Sequence, residues 1–381
     1  MDQVIEALLT SAGLLWKILW ALVLGYTISA GIQVLVTRAQ MARTLGEHSP
    51  KKAALASFFG FVSSSCSFAA LAASRSVLVK GAHPVNAIAF LIASTNLVIE
   101  LGIVLLILLG WHFFIGNILL GLLMTVYAYA ITRVWFPSDL ADAARQHAEQ
   151  QQSAEGMEHE GPEGKSWREK LTSLAGWQAI ADAFFMEWKM AYKEILFGFT
   201  IAGFITVFVP QSFWNALFLQ AGSDAPSFLA VLENAAIAPV IAFFTFIGSM
   251  GNIPLAALLW SKNASFGGVM AFLGADLVAA TVIYLHAKYY GWRYAGYLSL
   301  VLYVCMVAAG VTVHYVFAVL GILPTERALL TEMVRFKIDY TFWLNLVFTI
   351  GGGVLLTLHF RGRKEEARTS PSTVSGRRTR V

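Results

Sequence analysis

Charge is what this chain lacks most. Asp, Glu, Lys and Arg make up only 13% of its 381 residues, hydrophobic residues 57%, and the mean hydropathy is +0.64. So small a polar stock cannot cover a soluble domain of this size, which makes the chain a polytopic membrane protein. Cysteine is nearly missing as well. Cys66 and Cys305 both fall in apolar segments, so no disulfide framework is expected. Met1–Glu6 has neither a basic n-region nor an A-x-A-like cleavage site, and the first apolar segment, which carries Lys17, is expected to be retained.

Several motifs are missing too. There is no G-x-x-x-x-G-K-[ST] loop to bring ATP drive, and no H-E-x-x-H, G-x-S-x-G or Asp-rich metal motif to support a membrane-embedded enzyme. His147 and His159 match no metal-site spacing, so neither a metal nor a cofactor is expected. The formal charge of +4 is modest, and its basic residues sit in loops and at the tail rather than in a nucleic-acid-binding pattern.

What is present is apolar sequence in lengths that suit a bilayer. Segments run at 11–36, 53–79, 85–109, 113–136, 191–209, 228–260, 267–287, 294–320 and 340–360, most near the ~20 residues a spanning helix needs. Barrel strands would be about half as long and would alternate, so an all-α fold follows.

Two of these segments are interrupted by polar residues, at Ser63-Ser64-Ser65-Cys66-Ser67 and at Gly248-Ser249-Met250-Gly251-Asn252. Ala53–Val62 and Phe68–Val79 are each only roughly 15–18 Å long as helices, about half the bilayer core. Such half-helices suit a re-entrant hairpin whose tip lies near the midplane.

The two halves of the chain also resemble each other. Ala89-Phe90-Leu91 recurs as Ala271-Phe272-Leu273, Leu71-Ala72-Ala73 as Leu255-Ala256-Ala257, and Gly110-Trp111 as Gly291-Trp292, at offsets of 181 to 184. Internal repeats are a mark of secondary transporters.

If both interrupted segments turn back, Arg38, Arg43, Lys51, Lys52, Lys80, the 137–190 linker, Lys288, Arg293 and the tail all lie on the cytoplasmic side. Met1–Thr10, Trp111-His112 and Gln211–Ser227, none with Lys or Arg, then lie outside, as the positive-inside rule asks. Lys262 and the mixed-charge 321–339 loop fit less well. The expected architecture is an all-α polytopic membrane protein of two inverted repeats, each with a broken or re-entrant hairpin, plus one extra C-terminal helix. Its parts are a first repeat at 1–136, a hydrophilic cytoplasmic linker at 137–190 that is helical in patches, a second repeat at 191–320, the extra helix within 321–360 and a disordered basic tail at 361–381.

In a hairpin the second half-helix begins at the tip, so free N–H groups and a positive dipole end face the membrane centre. Ser64, Ser65, Cys66, Ser67, Gly251 and Asn252 are the substrate-binding candidates on that ground, with Asn96 on a neighbouring helix. Serine and glycine also serve close helix packing, which is the structural alternative. Glu100 and Asp276, carboxyls inside apolar segments, are the proton-coupling candidates; satisfied, non-titrating carboxyls are the alternative. Arg75 either balances an anion or Glu100, or snorkels to the interface. Glu233 reads as an interface residue, and His286, His314 and His359 as interfacial anchors. The Cys66 thiol would suit a thiophilic ion, with Met250 at the opposite tip, but a lone buried cysteine is more often a small apolar residue.

The Cys-Ser turn after a first span, Leu71-Ala72-Ala73, Ala89-Phe90-Leu91 leading into Ser94-Thr95-Asn96, the mid-chain hydrophilic loop and Gly251-Asn252-Ile253-Pro254-Leu255 together resemble the predicted permease family that includes the organoarsenical efflux permeases. The resemblance covers most of residues 10–320. It implies an inner-membrane permease, with Cys66 and Ser67 as carried-over positions. The family's first turn commonly reads Pro-x-Cys-Ser-Cys-Gly; this chain has one cysteine there and no proline, which weakens a thiol-captured arsenical as cargo.

The resulting expectation is a multi-pass inner-membrane secondary transporter that moves a small anionic, organic or metalloid solute through a midplane site, coupled to protons. Its partners would be that substrate and the lipid bilayer, without nucleic acid, and a homo-oligomer is compatible with it. A channel is the alternative, and a membrane enzyme acting on a lipid-soluble substrate a weaker one.

Overall fold

In the computed structural model the described residues are 2–35, 49–63, 67–79, 82–135, 137–155, 172–223, 225–245, 248–327 and 338–369. Among them the structure is helical, without strands. The first half comprises α1 (Asp2–Leu35), α2 (Pro50–Ser63), α3 (Ser67–Val79), α4 (Pro84–Asn96), α5 (Ile99–Leu108) and α6 (Trp111–Val134). Helix α7 (Ser138–Glu155) lies in the hydrophilic linker. The second half comprises α8 (Leu174–Phe208), the short α9 (Gln211–Leu217), α10 (Phe228–Thr245), α11 (Ser249–Ser261), α12 (Phe266–Leu273), a 3₁₀ turn (Gly274–Val278), α13 (Ala280–Tyr290) and α14 (Trp292–Val319), followed by α15 (Tyr340–Thr369).

Seven of the described helical stretches are long and apolar enough to cross a membrane, or eight if the bent pair α4 and α5 counts as one span. Their outward faces carry exposed Leu196, Phe197, Phe244, Val347 and Ile350, apolar surface that only lipid can cover without penalty. The protein is therefore a multi-span membrane protein.

Three boundaries differ from the hydropathy reading. Helix α8 begins at Leu174 rather than near 191, because Ile180, Ala181, Phe184 and Ala191 form a buried stripe at helical spacing in a stretch interrupted by Asp182, Glu187 and Lys189. Helix α15 continues to Thr369, nine residues into the stretch expected to be disordered, and residues 370–381 lie outside the described residues. Helix α10, at 18 residues, is long enough to cross by itself, where half a hairpin was expected.

The breaks occur where the backbone demands them. Helices α4 and α5 meet at a 41° bend at Leu97 and Val98. The stretch expected as one helix over 267–287 contains the 3₁₀ turn, which holds Asp276. Gly110 and Gly291 precede α6 and α14 with φ of 88° and 84°, a conformation only glycine adopts cheaply. His83 and Ser265 cap α4 and α12 by accepting the N–H groups of Val85 and Gly268.

Packing places α2 and α3 both on α4, and α10 and α11 both on α12. Gly60 of α2 lies against Phe90, Ala93 and Ser94 of α4, and the Ser74 hydroxyl of α3 donates to the Ala87 carbonyl at 3.0 Å. In the second half Asn234 of α10 lies against Gly268, and its side-chain oxygen accepts the Ser265 N–H at 2.8 Å.

Between halves, α1 packs on α8 and α6 on α14. Helix α15 joins α1 and α8. Asn345 donates to the Trp16 carbonyl at 2.7 Å and accepts the Trp20 N–H at 2.8 Å, placing its amide beside one rung of the α1 ladder. The linker helix α7 lays Ala141, Ala144 and Ala148 inward, while Arg145 donates to the Ala82 carbonyl at 2.8 Å and His147 bonds to that of Lys288 at 3.0 Å.

Candidate functional site

The second polar break is where the structure concentrates buried polarity. Helix α11 starts at Ser249 with Gly248 as its cap and no side-chain capping bond. Its first intrahelical donor is the Asn252 N–H, bonded to the Gly248 carbonyl at 3.1 Å, so the N–H groups of Ser249, Met250 and Gly251 have no acceptor within the helix. The Ser249 hydroxyl donates to Oδ2 of Asp276 at 2.5 Å, tying the start of α11 to the 3₁₀ turn. Both residues are buried.

Asn252 lies in the same first turn, is 0% exposed, and neither its amide nitrogen nor its amide oxygen finds a partner among the described residues. A buried amide left in this state costs about 1–3 kcal/mol per unmade bond. Pro254 follows two residues later and cannot donate to the Met250 carbonyl, so the ladder is also weakened on its accepting side. Gly251 brings the α11 backbone against α8, where Gly198 has no room for a side chain.

The carboxyl of Glu100 stands in the first turn of α5, 1% exposed, with its Cα and Cβ directly against Gly25 of α1. Helix α5 packs on α11, so the elements carrying Glu100 and Asn252 are neighbours. Asn96 ends α4, where its amide donates to the Ile92 carbonyl at 3.2 Å and to the Thr95 hydroxyl at 3.1 Å. The Asn96 carbonyl, freed by the break, accepts the Asn117 amide of α6 at 2.6 Å.

Of the candidate residues, the structure thus brings Gly251, Asn252 and Asp276 to one place. Glu100 lies on an adjoining helix, and Asn96 is engaged in a network of its own. Ser64, Ser65 and Cys66 lie outside the described residues, and Ser67 is described only as the first residue of α3. Ser249 was not among the candidates, although it sits in the polar break that pointed to Gly251 and Asn252.

Other side chains take different places from those expected. Arg75 does not snorkel: it is 5% exposed, with its guanidinium 4.1 Å from the Tyr289 ring centre. His286, His314 and His359 are buried rather than interfacial, because the helices bearing them are covered by neighbours at those positions. His359 of α15 bonds to Asp182 of α8 at 2.5 Å and stacks on Phe185 at 4.2 Å. Glu233 is half-buried and accepts the Leu219 N–H at 3.1 Å and the Asn234 amide at 2.7 Å. His147 bonds to the Lys288 carbonyl, and His159 lies outside the described residues. Cys305 is buried in α14, and Met250 is buried in the first turn of α11.

A bundle of apolar spans with buried amide, hydroxyl and carboxyl groups at an internal break defines a multi-span membrane protein with a polar interior. The chain belongs to the predicted permease family, which it matches over residues 3–315. It is 38% identical over 327 residues to the protein described as "Putative permease Rv2963" from Mycobacterium tuberculosis, covering 84% of this chain and 79% of that one. No solved structure matches the chain.

Proposed function

We propose that the protein is a secondary transporter of the inner membrane, with its substrate site near the bilayer midplane at the tips of two hairpins. The observation that carries this reading is Asn252, a fully buried amide without a partner among the described residues, set in a helix first turn beside the Ser249–Asp276 pair. A protein that keeps an unmet polar group at this cost gains by satisfying it with a ligand.

The hairpin reading is supported by packing. Helices α2 and α3 both flank α4, while neither makes a comparable interface with α5 among the described residues, as expected if the chain turns back at 64–66. Helix α11 has Ser249 level with Asp276 and its other end joined to α12 by a short turn, so it runs back along α12. The inverted-repeat reading is supported by helix boundaries: α3, α4, α5 and α6 begin 181 or 182 residues before α11, α12, α13 and α14.

The cargo is a small anionic, organic or metalloid solute. The positive dipole end at the start of α11 favours negative charge, and the Asn252 amide offers both a donor and an acceptor. Asp276 and Glu100, carboxyls buried inside the bundle, couple its passage to protons. The test is thermal stabilisation of the purified protein by methylarsenite, aromatic arsenicals, sulfur oxyanions and simple organic anions, because a ligand that binds the folded state raises its stability. A shift that disappears in Asn252→Ala supports the site. Shifts unaffected by that substitution place binding elsewhere.

A further inference from the structure

Helix α1 contains Gly25-Tyr26-Thr27-Ile28, and α8 contains Gly198-Phe199-Thr200-Ile201, the same tetrapeptide apart from one phenolic hydroxyl. The two motifs lie 173 residues apart, as do the ends of their helices at Leu35 and Phe208. Gly25 and Gly198 therefore hold corresponding places in the two halves. Each is also a point of closest approach: an added Cβ would meet Glu100 at Gly25, and the Gly251 backbone at Gly198.

The two partners do not correspond. Glu100 starts α5, whose counterpart in the second half is α13, with Thr281 at the matching position. Gly251 is in the first turn of α11, whose counterpart is α3, starting at Ser67. So α1 holds a helix that follows the second break of its half, while α8 holds one that follows the first. The converse interfaces, α1 on α3 and α8 on α13, have no comparable extent among the described residues.

Two like halves that make unlike contacts have selected one of two arrangements available to the same topology. We infer that the second arrangement is the other conformation of the transport cycle, in which Gly25 receives the start of α3 and Gly198 receives the start of α13 at Thr281. The inference rests on the reading proposed above, a secondary transporter of two inverted repeats, and supplies two end states for its cycle.

Two observations favour it. Both contacts are glycine against a helix start, so exchanging them gives up dispersion contacts rather than breaking a buried hydrogen bond at either glycine. The Thr281 hydroxyl, at the point Gly198 would receive, is buried and has no partner among the described residues in the arrangement seen. The body against which the exchange takes place is also defined: α1, α8 and α15 pack mutually, with Asn345 bonded to the α1 backbone.

The test is electron-electron double resonance in nanodiscs, with spin labels introduced as unnatural amino acids so that Cys66 and Cys305 stay in place. One pair is Leu196 on α8 with Tyr284 on α13; the other is Leu9 on α1 with Leu106 on α5, all four being exposed apolar positions. Each pair is expected to show two distances whose populations shift together between acid and neutral pH, the first pair shortening as the second lengthens. Gly198→Ala should change those populations, because its methyl meets the Gly251 backbone in the arrangement seen. One unchanging distance in both wild-type pairs, or movement in one pair alone, overturns the inference even if Gly198→Ala fails to fold. A ligand panel that misses Asn252 would remove the proposed site and leave these distances unaffected, so the two failures are distinguishable.

Discussion

Ser249 and Asp276, 27 residues apart in sequence, share a hydrogen bond of 2.5 Å inside the protein. That bond fixes the start of α11 to the 3₁₀ turn, so any change at the carboxyl is felt in the first turn of α11. Ser249→Ala should lower stability by about 1–3 kcal/mol, the range for removing the partner of a buried hydrogen-bonding group, measured by thermal unfolding in detergent. Asp276→Asn retains an acceptor and should cost less, while removing the pH dependence of transport. If pH dependence survives in both Asp276→Asn and Glu100→Gln, neither carboxyl carries the coupling proton.

Asn252 should behave as functional residues do when they are kept at the expense of stability. Its amide makes no bond among the described residues, so Asn252→Ala removes an unmet polar group at the cost of a small cavity. The expected outcome is an unfolding temperature equal to or above that of the wild type, together with loss of ligand-induced stabilisation. A clear drop in stability would mean that the amide is bonded in the folded protein.

Two buried asparagines that look alike should give unlike results. Asn345 bonds to the Trp16 carbonyl and the Trp20 N–H, which are partners in an ordinary α-helix and can bond to each other once the amide is gone. Asn117 bonds to the Asn96 carbonyl at a helix end, where no replacement donor follows. Asn345→Leu should therefore cost about 1 kcal/mol or less, and Asn117→Leu about 1–3 kcal/mol. Equal losses in a denaturation series would contradict this account.

Gln146 is exposed on α7 and gives a direct check on orientation. A cysteine placed there should react with a membrane-impermeant maleimide only in inside-out vesicles, with Cys66→Ser and Cys305→Ser as the background. Labelling in right-side-out cells would reverse the proposed topology.

Much of the architecture was legible because hydrocarbon selects on composition: apolar length located the helices, and the two polar breaks located the ends of α2 and the start of α11. Contacts that depend on neighbours were not legible. The early start of α8 was hidden because its apolar stripe is diluted by Asp182, Glu187 and Lys189 in any windowed average. The likeness of Gly25–Ile28 to Gly198–Ile201 was missed because its offset differs from that of the other matches, the segments joining α1 to α2 and α8 to α10 being unequal in length. Ser249 could have been found by asking which hydroxyl in the second break would answer Asp276. The burial of His286 and His314 could not, since it depends on which helices cover α13 and α14.

The linker helix offers a last consequence. Arg145 and His147 attach α7 to the Ala82 carbonyl in one half and the Lys288 carbonyl in the other, while α1 on α8 and α6 on α14 form the remaining joints. The covalent connection between Glu155 and Leu174 then contributes little beyond local concentration. Expressed as two separate polypeptides cut within that stretch, the halves should find each other in the membrane and restore the permease, as two subunits of a heterodimer would.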